Sequence, residues 1–497
     1  MSTSSLGRQV LFLLSGRMVA FAFMFFLPVV LARLFTQHEF GLYRQFFLIF
    51  YAVYTIMQFG MSVALPSFIP RHKEDTRSIL SMTLIFLGTI GLFLTLVGGV
   101  VALLYTGSSE FSRLFLVLGV FSGLMVFTAP FESILLIESR SHFAGILVVV
   151  WDIGRGALLL FTAILTHDLA LSLWFMTIAG VLRAAGMLLY FRKRYQIGFS
   201  GLRPSLFWNQ LKFAGPLTLQ ALAHLVEINV DRYIVMAMFA TSMFAVYTVG
   251  AFQIPIVDMV FSSVCGVVLP RLSEFYAAKQ QKELLTLHRE TIRRTALLLF
   301  PVFGIFFLVR SEFILFLFSA KYAESVAIFS IFVWLIPTFA FLNGLMLQAI
   351  GHERFLTWTG LLKPVFVCSF AFIGLAWGGM LGVVLGMVLY HYTATALHVW
   401  LTAKGVSAPI SEVYPIRALF HLALVILGLI VVIEWIPLHS LPILARLLIK
   451  PTIFVVLLAS FLLSTPMLTI SDRQALKDTF APMLRRWFPW ILDHSTT

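Results

Sequence analysis

A few ionisable side chains interrupt long apolar stretches of this sequence, and their types suggest the handling of anions. Asp152 and Arg155 are three residues apart, which places them on one helix face, where they can form a local ion pair or face a central cavity. Lys363 stands directly before Pro364, a residue that bends helices and can open a polar face. Arg binds phosphate through a planar fork and Lys as a point charge. These cations are therefore candidate ligands for an anion.

A second polar group recurs with helical spacing. His224, Glu227 and Asp231 follow one another at i, i+3 and i+7, which places them on one stripe of a helix. Such a stripe can be a hydrogen-bonded seam between helices, or it can couple transport to a proton or Na⁺. Asp258, on the next apolar stretch, can complete either arrangement.

Signatures of enzymes are missing from the sequence. No nucleophile–base constellation, zinc-ligand spacing or G-x-x-x-x-G-K-[ST] phosphate loop can be read from it. Cys265 and Cys368 lie in apolar runs and are predicted to be buried hydrophobic residues. We therefore predict no catalytic site, no metal site and no cofactor. If the chain transports actively, the drive is an ion gradient such as H⁺ or Na⁺, a substrate gradient, or another chain.

The composition sets the surroundings in which these charges must be placed. The chain has 497 residues, of which 60% are hydrophobic and 11% are charged, whereas soluble proteins are about 25% charged. Because lipid offers no hydrogen bonds to the backbone, long apolar runs must cross it as helices. The sequence predicts an all-α polytopic membrane protein with about fourteen spans. The spans are predicted near residues 10–32, 45–69, 79–105, 113–137, 144–165, 169–191, 213–239, 243–269, 295–318, 326–350, 356–376, 381–403, 418–436 and 443–468.

The basic residues give an orientation. Most of the lysines and arginines outside the spans fall in alternate loops, and these loops lie on the cytoplasmic side if the N-terminus is inside. We predict that both termini are cytoplasmic and that residues 33–44 form a short outer connector. Basic loops beside an anionic leaflet also explain the net charge of +13 without a nucleic-acid partner.

The two halves of the chain resemble each other. A shift of 204 residues places Tyr43 on Tyr247 and Pro66 on Pro270. A shift of six spans preserves orientation, so we predict two parallel six-helix lobes followed by two additional helices. The predicted divisions are a first lobe at 1–194, a cytoplasmic linker at 195–212, a second lobe at 213–403, two further helices at 404–470 and a cytoplasmic tail at 471–497.

Two phrases at repeat-related positions carry a family resemblance. L-A-R-L-F-T-Q-H-E-F-G-L-Y, at 31–43, and D-R-Y-I-V-M-A-M-F-A-T-S-M-F-A-V-Y, at 231–247, resemble loops of the multidrug/oligosaccharidyl-lipid/polysaccharide (MOP) exporter superfamily. Ala245 stands where the family usually has glycine. The match is most similar to the polysaccharide branch, the Wzx-type flippases of O-antigen or exopolysaccharide units.

The resemblance implies a function and a use for the buried cations. It implies a MATE- or MurJ-like fold that carries a polyprenyl-pyrophosphate-linked oligosaccharide across the bacterial inner membrane by alternating access. Its implied partners are this substrate, membrane lipids, a polymerase and glycosyltransferases. A lipid II flippase and a cation-coupled multidrug antiporter are the alternatives. The implied cationic cavity would be lined by Arg17, Arg155, Arg183 and Lys363. Arg17 and Arg183 can instead extend to the headgroups.

Overall fold

A capping box starts a helix inside the polar stretch that follows Leu34. Thr36 accepts a hydrogen bond from the backbone N–H of Glu39, and the Glu39 side chain accepts one from the backbone N–H of Thr36. These two bonds satisfy backbone groups that a helix end leaves unpaired. The second span therefore begins at Gln37 rather than near residue 45. The prediction of an outer connector at 33–44 is wrong in its second part, because the residues from Gln37 to Arg44 form the first two turns of the helix.

The computed structural model describes residues 22–105, 109–138 and 141–465. All of the regular elements in these ranges are helical, which confirms the predicted all-α class. The helices up to the middle of the chain are α1 (Ala22–Leu34), α2 (Gln37–Met57), α3 (Met61–Phe68), α4 (Thr76–Leu104), α5 (Ser109–Thr128), α6 (Pro130–Ile137), α7 (Ser141–Thr166), α8 (Leu169–Tyr195), α9 (Pro204–Met238) and α10 (Thr241–Gly250). The remainder are α11 (Pro255–Ala277), α12 (Gln281–Leu308), α13 (Arg310–Phe318), α14 (Ser325–Phe332), α15 (Ile336–Phe339), α16 (Leu345–Ala349), α17 (Glu353–Gly405), α18 (Ile410–Val413), α19 (Ile416–Glu434) and α20 (Ile443–Ser464).

Length and composition identify the helices that can cross a membrane. Within the described residues, ten helices are long and apolar enough to do so. Helix α9 has 35 residues and sufficient length, but it carries the polar stripe and stands outside this group. The total of about fourteen spans stays a prediction, because most of the first predicted span precedes the described residues.

Helix α17 consists of two arms rather than one continuous helix. Gly378 and Gly379 leave helical geometry, and Gly379 has φ +55°, which lies in the left-handed region that glycine tolerates best. The backbone reverses there, since a Cβ on Gly374 would lie 2.0 Å from the carbonyl oxygen of Gly382. The break falls between the predicted spans 356–376 and 381–403. The two arms are therefore a tight antiparallel hairpin.

The predicted repeat recurs in the positions of helix starts. Helix α2 begins at Gln37 and α10 at Thr241, which are 204 residues apart, and both N-cap residues are extended. The two helices also cross closely, because a Cβ on Gly41 would lie 2.2 Å from the carbonyl oxygen of Thr241. Repeat-related helix starts thus pack against each other.

The described residues divide into two compact units. The first unit holds the residues up to Phe252 together with Leu317–Ile328 and Thr357–Tyr390. The second unit holds Gln253–Phe316, Phe329–Leu356 and the residues from His391 onward. The cavity and most of the candidate site residues lie in the first unit.

Candidate functional site

A cavity of about 450 Å³ lies among α6, α7 and α8 in the first unit. Its walls are mainly apolar and aromatic, and three ionisable side chains interrupt them. The lining residues are Phe131, Glu132, Phe143, Leu147, Val150, Trp151, Gly154, Arg155, Leu158, Ala179, Leu182, Arg183, Gly186 and Tyr190. A concave, mostly apolar site with a few converging polar groups is the usual form of a ligand pocket.

Arg155 reaches this cavity while it forms an ion pair on its own helix. Its guanidinium group lies 3.0 Å from the Asp152 carboxylate, one turn earlier on α7, and its side chain is 12% exposed. Arg155 therefore forms the predicted local pair and also lines this cavity. The pairing leaves Arg155 partly neutralised.

The charge of Arg183, on α8, is less compensated than that of Arg155. Its guanidinium carbon lies 5.1 Å from the centroid of the Trp151 ring, which fits a cation–π contact. Its Nε atom is buried and has no hydrogen-bond partner among the described residues. Glu132 lines the same cavity without forming an ion pair with Arg183. A buried guanidinium N–H without an acceptor is costly, so this group is poised to bind an anion.

Lys363 lies away from this cavity and binds a carboxylate instead. Its Nζ atom is 3.1 Å from Oε1 of Glu227, so the pair joins the first arm of α17 to α9. The Tyr390 hydroxyl, on the second arm of α17, donates to the same oxygen over 3.3 Å. Sequence spacing within a single helix gave no sign of this partner, because Glu227 is 136 residues away.

The predicted polar stripe of α9 divides into separate contacts. Nδ1 of His224 is 3.9 Å from Glu227, beyond hydrogen-bond reach, and the His224 side chain is largely exposed. Asp231 is buried and accepts a hydrogen bond of 2.8 Å from the Tyr247 hydroxyl. Asp258 belongs to the second unit, where it is exposed in the first turn of α11. Arg17 lies outside the described residues.

Sequence reasoning missed two groups of polar residues. Arg44 was placed in an outer loop, although it lies in the second turn of α2, and the T-x-x-E capping pattern was the signal that could have shown this. Glu138 accepts hydrogen bonds from the hydroxyl groups of Tyr190 and Tyr195 beside the Arg194 guanidinium. Among the described residues, no group of three or more His, Cys, Asp and Glu side chains converges as metal ligands would.

Comparisons with known proteins agree with this architecture. A family model described as polysaccharide biosynthesis protein matches residues 6–276. No curated protein matches the chain. Among solved structures, the inward closed conformation of the lipid II flippase MurJ superposes with a TM-score of 0.70 at 15% identity, over 91% of this chain and 99% of that one.

Two multidrug-type structures share the fold as well. The inward-facing conformation of a multidrug resistance MATE family transporter of the MOP superfamily gives a TM-score of 0.63 at 17% identity, over 78% of this chain and 94% of its own. A MOP superfamily transporter from Pyrococcus furiosus, described as having a binding pocket of reverse polarity, gives a TM-score of 0.53 at 16% identity. The superposition covers 80% of this chain and 94% of that one. At these identities the likeness shows the fold.

Proposed function

The chain belongs to the polysaccharide biosynthesis protein family and has the fold of MOP superfamily transporters, and on this premise we propose that it is a flippase for a polyprenyl-pyrophosphate-linked oligosaccharide. The proposed substrate is one repeat unit of a surface polysaccharide of the O-antigen or exopolysaccharide type. The proposed location of the protein is the bacterial inner membrane, with both termini in the cytoplasm. Alternating access of two six-helix lobes, at 1–194 and 213–403, would carry the headgroup.

The observation that carries the proposal is the guanidinium of Arg183, whose buried Nε has no hydrogen-bond partner among the described residues, in a largely apolar cavity. A pyrophosphate carries anionic non-bridging oxygens on two phosphorus atoms, and a planar guanidinium can donate two parallel hydrogen bonds to such oxygens. Apolar and aromatic walls suit the lipid-linked part of the substrate and the faces of sugar rings. A cationic drug would meet Arg183 and also Glu132 in this cavity, so the multidrug antiporter stays the alternative.

Ion coupling is part of the proposal. Glu227 and Asp231 are the carboxylates through which H⁺ or Na⁺ would act, with His224, Asp152 and Asp258 as further candidates. Glu227 already holds the ammonium group of Lys363, so a second cation would have to displace Lys363 or protonate the carboxylate. A polymerase and glycosyltransferases of the same polysaccharide are the proposed partners.

We predict that Arg183→Gln, Arg155→Ala and Lys363→Ala each abolish or strongly reduce glycan export while the protein still inserts. For Arg183 and Arg155, which line the cavity, the loss of one charge-assisted contact to phosphate is expected to weaken binding by roughly tenfold or more. Surface glycan and accumulated lipid-linked glycan are measured in cells that lack the wild-type gene. Arg113→Gln is the matched control, because this arginine is exposed on α5.

Normal surface glycan in all three variants would refute the assignment. If cells that lack the gene keep a normal amount of surface glycan and accumulate lipid II, the peptidoglycan precursor is favoured as the substrate. Loss of drug efflux with normal glycan would favour the antiporter.

A further inference from the structure

The cavity among α6, α7 and α8 has a cationic part and an aromatic part. Arg155 and Arg183 line it near the middle of α7 and α8, and Trp151 lies against the guanidinium of Arg183. Tyr190 lines the cavity seven residues after Arg183 on α8. This spacing is about two turns, so the two side chains share one face of the helix, about 10 Å apart along its axis. A ligand whose anionic group binds at Arg183 can therefore extend along α8 to Tyr190.

Two kinds of contact fix the ring of Tyr190. Its hydroxyl group donates a hydrogen bond to Oε2 of Glu138, a side chain that is only 8% exposed. The ring also packs against Phe131 and Phe191, with centroid distances of 5.8 and 6.0 Å, and both phenylalanines belong to a buried apolar cluster. A side chain that is fixed before a ligand arrives loses little conformational entropy on binding. Tyr190 is therefore a preorganised part of the cavity wall.

Glu138 is held in turn by groups from the end of α8. Its Oε1 accepts a hydrogen bond from the Tyr195 hydroxyl, and Nε of Arg194 lies 3.6 Å from the same oxygen. Of the side chains that contact this carboxylate, Tyr190 is the one that lines the cavity, among the residues that the structure describes. The carboxylate thus orients Tyr190 from behind the wall.

The end of the cavity at Tyr190 is the end nearer to water. The last turn of α8 carries Arg192, Lys193 and Arg194, and the Arg194 side chain is 59% exposed. Charged side chains at the end of a membrane helix extend into the headgroup layer or the water beyond it. A ligand group that extends from Arg183 to Tyr190 therefore approaches water, which suits a sugar and disfavours a prenyl chain. On the predicted topology this side is cytoplasmic.

The chemistry of a tyrosine ring matches that of a sugar ring. Tyrosine offers an apolar face and a polar edge, and a pyranose has C–H groups on its faces and hydroxyl groups around its rim. We propose that Tyr190 determines specificity by packing against the first sugar of the substrate, the one attached to the pyrophosphate that Arg183 binds, and that Glu138 is a positioning residue for Tyr190. This inference rests on the proposed function and adds a sugar-binding subsite to it.

Pairs of ligands that differ by a single sugar test the subsite. The full-length protein in nanodiscs is titrated with a short polyprenyl pyrophosphate and with the same lipid carrying one glucose, galactose or N-acetylglucosamine. For the wild type, we expect at least one of these sugars to tighten binding about tenfold, the contribution of one well-packed aromatic contact. Tyr190→Leu should remove this sugar-dependent gain and leave the affinity for the lipid without a sugar unchanged.

Variants of Glu138 separate positioning from a purely structural role. Glu138→Ala and Tyr190→Phe keep the aromatic ring but remove the hydrogen bond that orients it, so each should reduce the sugar-dependent gain about threefold. Glu138→Gln should restore the gain, because its amide oxygen still accepts from Tyr190. Tyr195→Phe is the matched control, since it removes the other hydroxyl group from Glu138 and should leave the gain unaltered. A purely structural role would change the thermal midpoint and leave the gain equal in all of these variants, which would overturn the positioning role.

The remaining outcomes distinguish this inference from the proposed function. Arg183→Gln should weaken binding of the lipid with and without a sugar by the same factor. If the wild type binds neither lipid, the proposed function fails and the subsite fails with it. If the wild type binds both lipids without a gain for any of the three sugars, the subsite alone is refuted. If Tyr190→Leu weakens binding of both lipids equally, Tyr190 contacts the prenyl chain and the sugar subsite is refuted. If Tyr190→Leu does not fold, the comparison of Glu138→Ala with Glu138→Gln decides.

Discussion

At the scale of single residues, the charges of the first unit differ in how they are compensated. The spacing of Asp152 and Arg155 showed that they could pair, because both lie on one turn of one helix. The pair of Lys363 with Glu227 could not be predicted, because it depends on how α17 packs against α9. Spacing predicts contacts within a helix, whereas contacts between helices require the fold.

The pair of Lys363 and Glu227 gives a prediction at this scale. Their side chains are 31% and 17% exposed, so removing either partner should cost roughly 2 kcal/mol, less than for a fully buried pair. Lys363→Met and Glu227→Gln should each lower the thermal midpoint in detergent. The double variant should recover most of that loss, because it leaves no unpaired charge.

The same variants separate stability from transport. If Lys363 takes part in export, Lys363→Met/Glu227→Gln stays inactive although its midpoint recovers. Recovery of glycan export in the double variant would show that the pair serves only to join α9 to α17.

At the scale of helices, the sequence predicted where apolar runs lie better than where helices begin. The break of α17 at Gly378 and Gly379 falls between two predicted spans, because two adjacent glycines mark a reversal. The start of α2 was misplaced, because Gln37, His38 and Glu39 were interpreted as a polar loop although Thr36 and Glu39 form a capping box. This error also placed Arg44 in a loop, although it lies in a helix.

The crossing of α2 and α10 gives a prediction at the scale of helices. Gly41→Ala would place a methyl group 2.2 Å from the backbone oxygen of Thr241, and the two helices would have to move apart. We expect a loss of about 1–3 kcal/mol and reduced export, as for other overpacked contacts. Thermal midpoint and surface glycan are the measurements.

Gly428→Ala is the matched control for this substitution. Gly428 lies inside α19 with open space where a Cβ would be, so alanine should be neutral or stabilising by about 0.5–1 kcal/mol. Equal midpoints for the Gly41 and Gly428 variants would mean that the crossing can relax.

At the scale of the whole molecule, composition was sufficient to predict an all-helical membrane protein, and the family resemblance predicted the MATE- or MurJ-like fold. The last two described helices, α19 and α20, are joined to α13 by ion pairs that the sequence analysis did not predict. Glu312 is 3% exposed and lies 3.0 Å from Lys450 and 3.3 Å from Arg446, both on α20. Arg310 binds Glu434 at the end of α19 over 2.8 Å.

The two links should differ in strength. Glu312→Ala leaves two cations unpaired in a buried position and should cost about 3–5 kcal/mol, with loosening of α20. Glu434→Ala affects a pair whose members are about a third exposed and should cost at most about 1 kcal/mol. Thermal midpoints and protease sensitivity of the segment after Glu434 are the measurements. Equal effects would mean that burial does not set the strength of these links.

The hydrogen bond from Tyr247 to Asp231 carries a consequence for the history of the chain. The shift of 204 residues pairs Tyr247 with Tyr43, but it pairs Asp231 with Leu27, a buried apolar residue. If the halves arose by duplication, they began as identical copies, and the acid was then gained by one half or lost by the other. The two halves differ in chemistry at this position and share the tyrosine. In a chain built from two copies of the first half, the second tyrosine would lie opposite a leucine instead of an aspartate. The two halves are therefore not interchangeable at this position.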